Sequence, residues 1–161
     1  MRLPITAHPD PKRAGGFTLV ELTLTLIIIG AVAAIGVPRY ANALTRYKAD
    51  AAARRVVADI ARAQTHARAN STTATLRFRV GLDLVTISEL PHLDLPSQAY
   101  TTQLAEEPYD SNLTAADFGG DTYLVFDGYG QPDSGGTLTI RCGSNLRTIT
   151  VDPDTGEASI Q

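Results

Sequence analysis

The chain has 161 residues, 43% of them hydrophobic, and a formal net charge of −3. This length suits one domain and argues against a second. Its single cysteine, Cys142, excludes an internal disulfide, and we expect this thiol to be buried in a strand rather than reactive.

The first sixteen residues precede the first apolar stretch and contain three prolines, which disfavour a helix. A secretory signal peptide is cut after an apolar segment of its own, and residues 1–16 have none. Lys12 and Arg13 lie directly before the apolar stretch. By the positive-inside rule they place this leader in the cytoplasm and everything after Arg39 on the other side of the membrane.

Residues 17–38 are apolar except for one charged side chain, Glu21, near the start. The uncharged run from Leu22 to Pro38 spans about 25 Å as a helix, enough to cross a membrane once with its flanking residues. Two glycines and Pro38 weaken helix propensity in its second half. Small residues in this half also permit close packing with other helices. The sequence supports a weakened helix and a packing surface equally.

The position of Glu21 near the start of the apolar segment suggests that the chain is cleaved just before it. A carboxylate within a membrane costs roughly 2.5–3.5 kcal/mol at mid-bilayer, so it needs a compensating group. Cleavage between Gly16 and Phe17 creates a new α-amino group one helical turn before Glu21. The carboxylate then has a cation within reach.

This pattern resembles the cleavage and assembly signature of type IV pilins and of the pseudopilins of type II secretion. The resemblance implies that prepilin peptidase cuts between Gly16 and Phe17, that Phe17 is N-methylated, and that Glu21 and Pro38 serve assembly. An ordinary signal anchor with a chance glutamate is the alternative. The matching residues are Gly16, Phe17, Thr18, Leu19, Glu21 and Pro38, with Lys12 and Arg13 ahead of the cut.

From Arg39 to about Asn70 the apolar spacing becomes that of an amphipathic helix, which continues the membrane helix. The polar residues Asn70 and Ser71 predict the end of this helix. We expect the apolar stripe to lie against a sheet and the arginines to lie at its edges or opposite. The stripe consists of Tyr40, Leu44, Tyr47, Ala51, Ala53, Val56, Val57, Ile60, Ala63 and Ala67, and the arginines are Arg46, Arg54, Arg55, Arg62 and Arg68.

The rest of the chain is predicted to be an antiparallel sheet. Thr72–Val80 and Asp83–Glu89 pair as a hairpin. Residues 90–120 lose periodicity, so we expect a long surface excursion with at most short strands. The closing strands are predicted to form one meander and comprise Thr122–Phe126, Thr137–Cys142, Leu146–Val151 and Ala158–Ile160.

These elements predict an α+β fold in which a long N-terminal helix, transmembrane and then amphipathic, packs on an antiparallel sheet. The expected organisation is a leader (1–16), a transmembrane and assembly helix (17–38) and a head (39–161). The segments 50–54 and 63–68 and the closing strands also look like the H-type minor pseudopilins (GspH/FimT).

The sequence lacks a phosphate-binding glycine loop and a nucleophile elbow, so we expect a non-enzymatic protein without cofactor or metal. The three histidines, which are His8, His66 and His92, are expected at solvated surfaces. Four aspartates in turns are expected to bind their own backbone, with a calcium site as the alternative. They are Asp127, Asp133, Asp152 and Asp154.

Charge is divided along the chain. Residues 39–79 carry nine Lys or Arg against two acids, whereas residues 81–161 carry thirteen acids against Arg141 and Arg147. Nucleic-acid binding needs clustered positive charge, which disfavours DNA as a partner of the acidic head. The basic stem is expected to face neighbouring subunits or lipid headgroups.

The resemblance and the charge together predict a minor pseudopilin of a type II secretion system, held in the bacterial inner membrane with its head in the periplasm. The alternative is a minor type IV pilin, FimT-like, in pilus assembly or DNA uptake. The implied partners are prepilin peptidase, other pilin-like or pseudopilin subunits, and an inner-membrane assembly platform.

Overall fold

The computed structural model describes residues 16–92 and 97–161. They form two compact units, one ending at Arg39 and one comprising Tyr40–Gln161. One long helix, α1 (Leu19–Asn70), is followed by strands in the order β1 (Ala74–Arg79), β2 (Leu84–Pro91), β3 (Ala99–Gln103), β4 (Asn112–Phe118), β5 (Tyr123–Phe126), β6 (Gly136–Cys142), β7 (Asn145–Val151) and β8 (Ala158–Ile160). Most of the predicted leader lies outside the described residues.

The predicted end of α1 is confirmed at Asn70. Ser71 adopts a positive φ of 50°. The Thr72 amide donates to the Ala67 carbonyl at 3.2 Å, and the Ser71 amide donates to the Arg68 carbonyl at 3.4 Å. These two bonds are those of a Schellman motif, which satisfies carbonyls that the last helical turn leaves unpaired.

In the head, one face of α1 is buried at 3–4 spacing, as the apolar stripe predicts. The stripe is wrong at its start: Tyr40 and Tyr47 are 72% and 71% exposed and Leu44 is 41% exposed, and burial begins at Ala49. The β6–β7 turn reaches the helix at Thr45, where Asn145 Nδ2 donates to the Thr45 hydroxyl at 3.0 Å, but these three side chains stay exposed. The buried helix residues are Ala49, Ala52, Ala53, Val56, Asp59, Ile60, Ala63 and Ala67.

The strands form two four-stranded antiparallel sheets rather than one. The first has the order β3-β2-β1-β5 and the second the order β4-β6-β7-β8. The predicted β1–β2 hairpin is confirmed, with Arg79 opposite Leu84. The predicted closing meander is wrong at its first strand, because β5 pairs with β1, and only β6, β7 and β8 follow one another.

The described part of the segment 90–120, which leaves out residues 93–96, contains more regular structure than predicted. It supplies β3 and the seven-residue β4, each of which forms the edge of a sheet. Its side chains Tyr100, Leu104, Leu113 and Phe118 are at most 4% exposed. This segment therefore contributes to the core and is not a surface excursion.

A single hydrophobic cluster joins α1 and both sheets. Phe78 of β1 stacks on Phe118 of β4 with ring centroids 5.0 Å apart, which connects the sheets. Close approach is needed at Gly136 of β6, where a Cβ atom would lie 2.2 Å from the Asp117 carbonyl oxygen. The predicted α+β class is confirmed, with the helix packed on antiparallel sheets.

Candidate processing and assembly site

The predicted processing and assembly residues lie at the start of α1. Gly16, Phe17 and Thr18 precede the first helical residue, Leu19. The Thr18 hydroxyl oxygen accepts a hydrogen bond from the Glu21 amide at 3.1 Å, so Thr18 is the N-cap and Glu21 lies in the first turn. The helix thus begins between the proposed cut and the glutamate.

A carboxylate in the first turn interacts favourably with the helix dipole, by about 0.3–1 kcal/mol. This is smaller than the roughly 2.5–3.5 kcal/mol that a charge costs at mid-bilayer. Within residues 16–92 and 97–161, the Glu21 carboxylate forms no ion pair. The helix start alone therefore does not offset the charge of Glu21 in a membrane.

The other polar side chains of the apolar segment are satisfied within the helix. The Thr23 hydroxyl donates to the Val20 carbonyl at 2.8 Å, and the Thr25 hydroxyl donates to the Leu22 carbonyl at 2.8 Å. Such bonds let hydroxyl groups lie in an apolar surrounding. They leave Glu21 as the costly group of this segment.

α1 is long and apolar enough to cross a membrane. Its most apolar window of 18 residues has a mean hydropathy of 2.3, and none of that window is buried. Pro38 lies inside the helix, as do Gly30 and Gly36. The apolar surface of this segment calls for lipid or other helices as its surroundings.

In the head, Asp50 of α1 forms an ion pair with Arg147 of β7. The hydrogen bond from Arg147 lowers the pKa of the Asp50 carboxyl, and the positive charges of Arg46 and Arg54 add to this effect. Arg147 is thus engaged with the helix, while Arg141 is exposed on β6. These two arginines do not form the joint cationic surface that a DNA site in the head would need.

A second ion pair joins Lys48 of α1 to Asp110. The hydrogen bond to Asp110 raises the pKa of the Lys48 ammonium. Cys142 is 4% exposed, which confirms its predicted burial, and its thiol donates to the Asp110 carbonyl at 3.3 Å. This ion pair and this hydrogen bond attach the loop before β4 to α1 and β6.

Three of the four turn aspartates, Asp127, Asp133 and Asp152, bind the backbone as predicted, whereas Asp154 contributes its amide to Asp152. Asp127 Oδ1 accepts hydrogen bonds from the amides of Tyr129 and Gln131 at 2.9 and 2.8 Å. Asp152 Oδ1 accepts from the amides of Asp154 and Thr155, and these bonds lower the pKa of the Asp152 carboxyl. In the part of the chain that the structure describes, no group of three or more His, Cys, Asp or Glu side chains is placed to hold a metal ion.

The predicted positions of the histidines are tested for two of them. His8 lies outside the described residues. His66 is half-buried on α1, where its Nδ1 lies 3.2 Å from Nδ2 of Asn70, and His92 is half-buried after β2. Neither side chain is as exposed as a solvated surface position would be.

A buried carboxylate in the head was not predicted. Asp59 is 2% exposed and accepts hydrogen bonds from the Tyr100 hydroxyl at 2.9 Å and the Thr102 hydroxyl at 2.7 Å. Arg55 Nε lies 3.4 Å from Asp59 Oδ1, close enough for an ion pair but not aligned for a hydrogen bond. The sequence signal was available, since Asp59 falls between Val56 and Ile60 within the apolar stripe.

No family model matches the sequence, and no curated protein matches it either. A solved structure does match in fold, namely the crystal structure of the type IV minor pilin FimU from Pseudomonas aeruginosa PAO1. The TM-score is 0.51 at 12% sequence identity, and the match covers 70% of this chain and 91% of that one. The chain has a pilin-like fold. Identity this low shows the fold and leaves the function and the finer resemblance to H-type pseudopilins as proposals.

Proposed function

We propose that this chain is a minor subunit of a pilin-like filament of the bacterial inner membrane. The observation that carries the proposal is Glu21, the only charged side chain between Phe17 and Arg39, in the first turn of a helix that continues into a pilin-like head. A head with this fold, attached to a helix of this apolarity, suits a protein that is anchored first and assembled later. Its role is structural rather than enzymatic.

In this proposal prepilin peptidase removes residues 1–16 and Phe17 becomes the N-methylated first residue. Its amine carries a positive charge one turn from Glu21. In a filament, the amine of one subunit pairs with Glu21 of a neighbour, so each charge offsets the other within the apolar helix bundle. Neighbouring helices then surround the apolar segment in place of lipid when the subunit leaves the membrane.

The first candidate for the machine is a type II secretion system, with this chain as a minor pseudopilin in a periplasmic pseudopilus that helps export folded proteins. The acidic head favours it, because residues 81–161 hold thirteen acids against two basic residues. The second candidate is a minor type IV pilin in pilus assembly or DNA uptake. The match in fold to the minor pilin FimU favours that alternative.

The mass of the mature protein tests the proposal. We expect intact-mass analysis of protein from a bacterium that carries the gene to give a chain beginning at Phe17 with one added methyl group. Gly16→Ala should still be processed in part, and Gly16→Glu should accumulate as precursor in the membrane. A chain that begins at Met1, or one cut after Pro38, contradicts the proposal.

Substitution of Glu21 tests the assembly step separately from processing. Glu21→Val removes the buried charge, so membrane insertion should persist or improve while incorporation into sheared filaments is lost. Thr18→Ala is the matched control, because it removes the N-cap hydrogen bond and leaves the carboxylate. If Glu21→Val assembles as well as the unchanged protein, the proposed pairing of charges is wrong.

Binding assays separate the two candidate machines. The pseudopilin proposal predicts capture of co-encoded pilin-like heads at physiological salt, and only weak DNA binding that disappears as salt rises. The DNA-uptake alternative predicts a salt-resistant gel shift that depends on Arg141 and Arg147. Such a shift without a captured protein would reverse the order of the two candidates.

A further inference from the structure

The outer face of α1 in the head forms the floor of a shallow groove of about 450 Å³. Ala58, Ala61, Thr65 and Ala69 line this floor, and Leu90 at the end of β2 lies at its side. The four helix residues are exposed, on the side of α1 opposite to its buried face. Their small side chains let the surface of a partner approach the helix closely.

Positive charge accompanies this groove. Arg62 is one of its lining residues, and Arg54 lies one helical turn before Ala58. Both arginines are exposed, and neither forms an ion pair with a carboxylate among the described residues. The Arg62 guanidinium lies 5.0 Å from the ring centroid of Tyr100, so its side chain is held in place while its charge stays uncompensated.

A surface of opposite sign is formed by Asp117, Asp121 and Asp133, which we call the acidic surface. All three are exposed and none forms an ion pair with the described residues. The charges of two of them act together at Tyr123, whose pKa is raised by a hydrogen bond to Asp121 and further by the charges of Asp121 and Asp133. One guanidinium, that of Arg77 at 5.8 Å from the Tyr123 ring, opposes these three carboxylates.

We propose that the groove on α1 of one copy binds the acidic surface of a second copy, with Arg54 and Arg62 facing its carboxylates. The chain carries both complementary surfaces, and opposite potentials steer and orient such a contact. Because the two surfaces differ, the contact is heterologous and repeats from copy to copy instead of closing a two-fold dimer. It needs neither cleavage at Gly16 nor filament assembly, so it can fail without affecting the function proposed above.

Lysine content allows a direct test, since Lys12 and Lys48 are the only lysines of the chain. R62K keeps the positive charge and adds an amine, which a carbodiimide couples to a carboxylate in contact with it. The full chain in mild non-ionic detergent is mixed as unlabelled and 15N-labelled copies, coupled and digested. Mixed-label peptides then identify links between copies. R79K is the matched control, because Arg79 is exposed on β1 away from the groove.

We expect R62K, and not R79K, to give mixed-label links to Asp117, Asp121 or Asp133. R54E in the R62K background should reduce these links several-fold, and so should higher salt, which shortens the screening length from about 10 Å at 0.1 M to about 3 Å at 1 M. The proposal would be overturned if the links stay within one copy, or if they join R62K to another acidic segment. It would also be overturned if R79K gives as many links as R62K.

Discussion

Replacement of Asp59 by alanine should destabilise the head by about 3–5 kcal/mol. The carboxylate is 2% exposed and receives two hydroxyl donors, Tyr100 at 2.9 Å and Thr102 at 2.7 Å. A hydrogen bond to a charged group contributes about 1.5–3 kcal/mol, and these hydroxyls are buried too deeply to find water when the acceptor is removed. Arg55 is 38% exposed, so its guanidinium can reach solvent and adds less to the loss.

Single substitutions of the donors separate these contributions. Thr102→Val removes one hydrogen bond and should cost about 1.5–3 kcal/mol, and Tyr100→Phe should cost at least as much, because the Tyr100 hydroxyl donates to Asp59 and also accepts from Arg55 Nη2. Because both donors bind one carboxylate, the loss of stability in the double variant should differ from the sum of the losses in the two single variants. A triple variant with Asp59→Leu, Tyr100→Phe and Thr102→Val should regain part of the lost stability, since it leaves no buried hydroxyl or carboxylate unpaired, while Arg55 loses its two partners.

Thermal unfolding followed by circular dichroism provides the measurement. For a domain of this size, roughly 4 °C is lost per kcal/mol, so Asp59→Ala should lower Tm by about 12–20 °C. Thr114→Val is the control, because Thr114 is an exposed threonine whose hydroxyl bonds only the Thr139 carbonyl. An Asp59→Ala variant that loses less than about 1 kcal/mol would refute the reasoning, since the cluster would then contribute no more than a surface pair.

Three further predictions concern the head as a folding unit. A fragment beginning at Arg39 should melt cooperatively, and removal of residues 39–70 should cause aggregation measured by light scattering, because the sheets lose their apolar cover. The pKa of Asp50 is lowered from 3.8, so its contribution is complete above that value and is lost as pH falls through its folded pKa. Asp50→Asn should therefore flatten the fall of Tm below about pH 4 compared with Glu157→Gln, and an unchanged slope would contradict this cause. Gly136→Ala should destabilise the head by about 1–3 kcal/mol in the same melts, because an added Cβ at residue 136 lies 2.2 Å from the Asp117 carbonyl oxygen. Gly81→Ala is the control and should not destabilise the head, because an added Cβ at residue 81 meets no atom within 4 Å.

The helix and most strands could be predicted because their apolar spacing is regular. β4 was missed because its alternation is broken: the register shifts between Leu113 and Ala115, so Leu113 and Phe118 do not fall on one period of two. A bulge of this kind places an extra residue in the strand without leaving a local signal in composition. The sequence therefore resembled a loop where the chain forms a sheet edge.

β3 was missed for a different reason. Its inward residues are Tyr100 and Thr102, and a threonine at a core position does not look apolar. Thr102 can be buried because Asp59 accepts its hydrogen bond from a helix 43 residues earlier in the chain. The burial of Thr102 in β3 and of Asp59 in α1 is explained only when the two side chains are known to bind each other. The sequence does not show this long-range pair, so neither position could be assigned to the core.

The proposal of a cleavage site between Gly16 and Phe17 rests on chemistry that is local in the sequence. A new amine at Phe17 and the carboxylate of Glu21 are one turn apart in any helix that begins there, whatever the head looks like. The structure adds the N-cap at Thr18, which makes the helix start a property of these few residues. Substitutions of Glu21 and Thr18 can therefore separate the role in assembly that we propose for the charge from the role of the cap in helix formation.

The alanines of α1 explain how one helix can serve both the core and a partner. Five of its eight buried residues are alanine, so the helix axis lies close to both sheets and the bulk of the core comes from β-strand side chains such as Phe78 and Phe126. Further alanines, Ala58, Ala61 and Ala69, line the outer face beside Arg62 and are exposed. A helix with bulky outer side chains would fold against these sheets equally well, because that face contributes nothing to the core. Its small residues, and the charge of Arg62 that forms no ion pair with the described carboxylates, are therefore explained by contact with another molecule better than by the stability of the head.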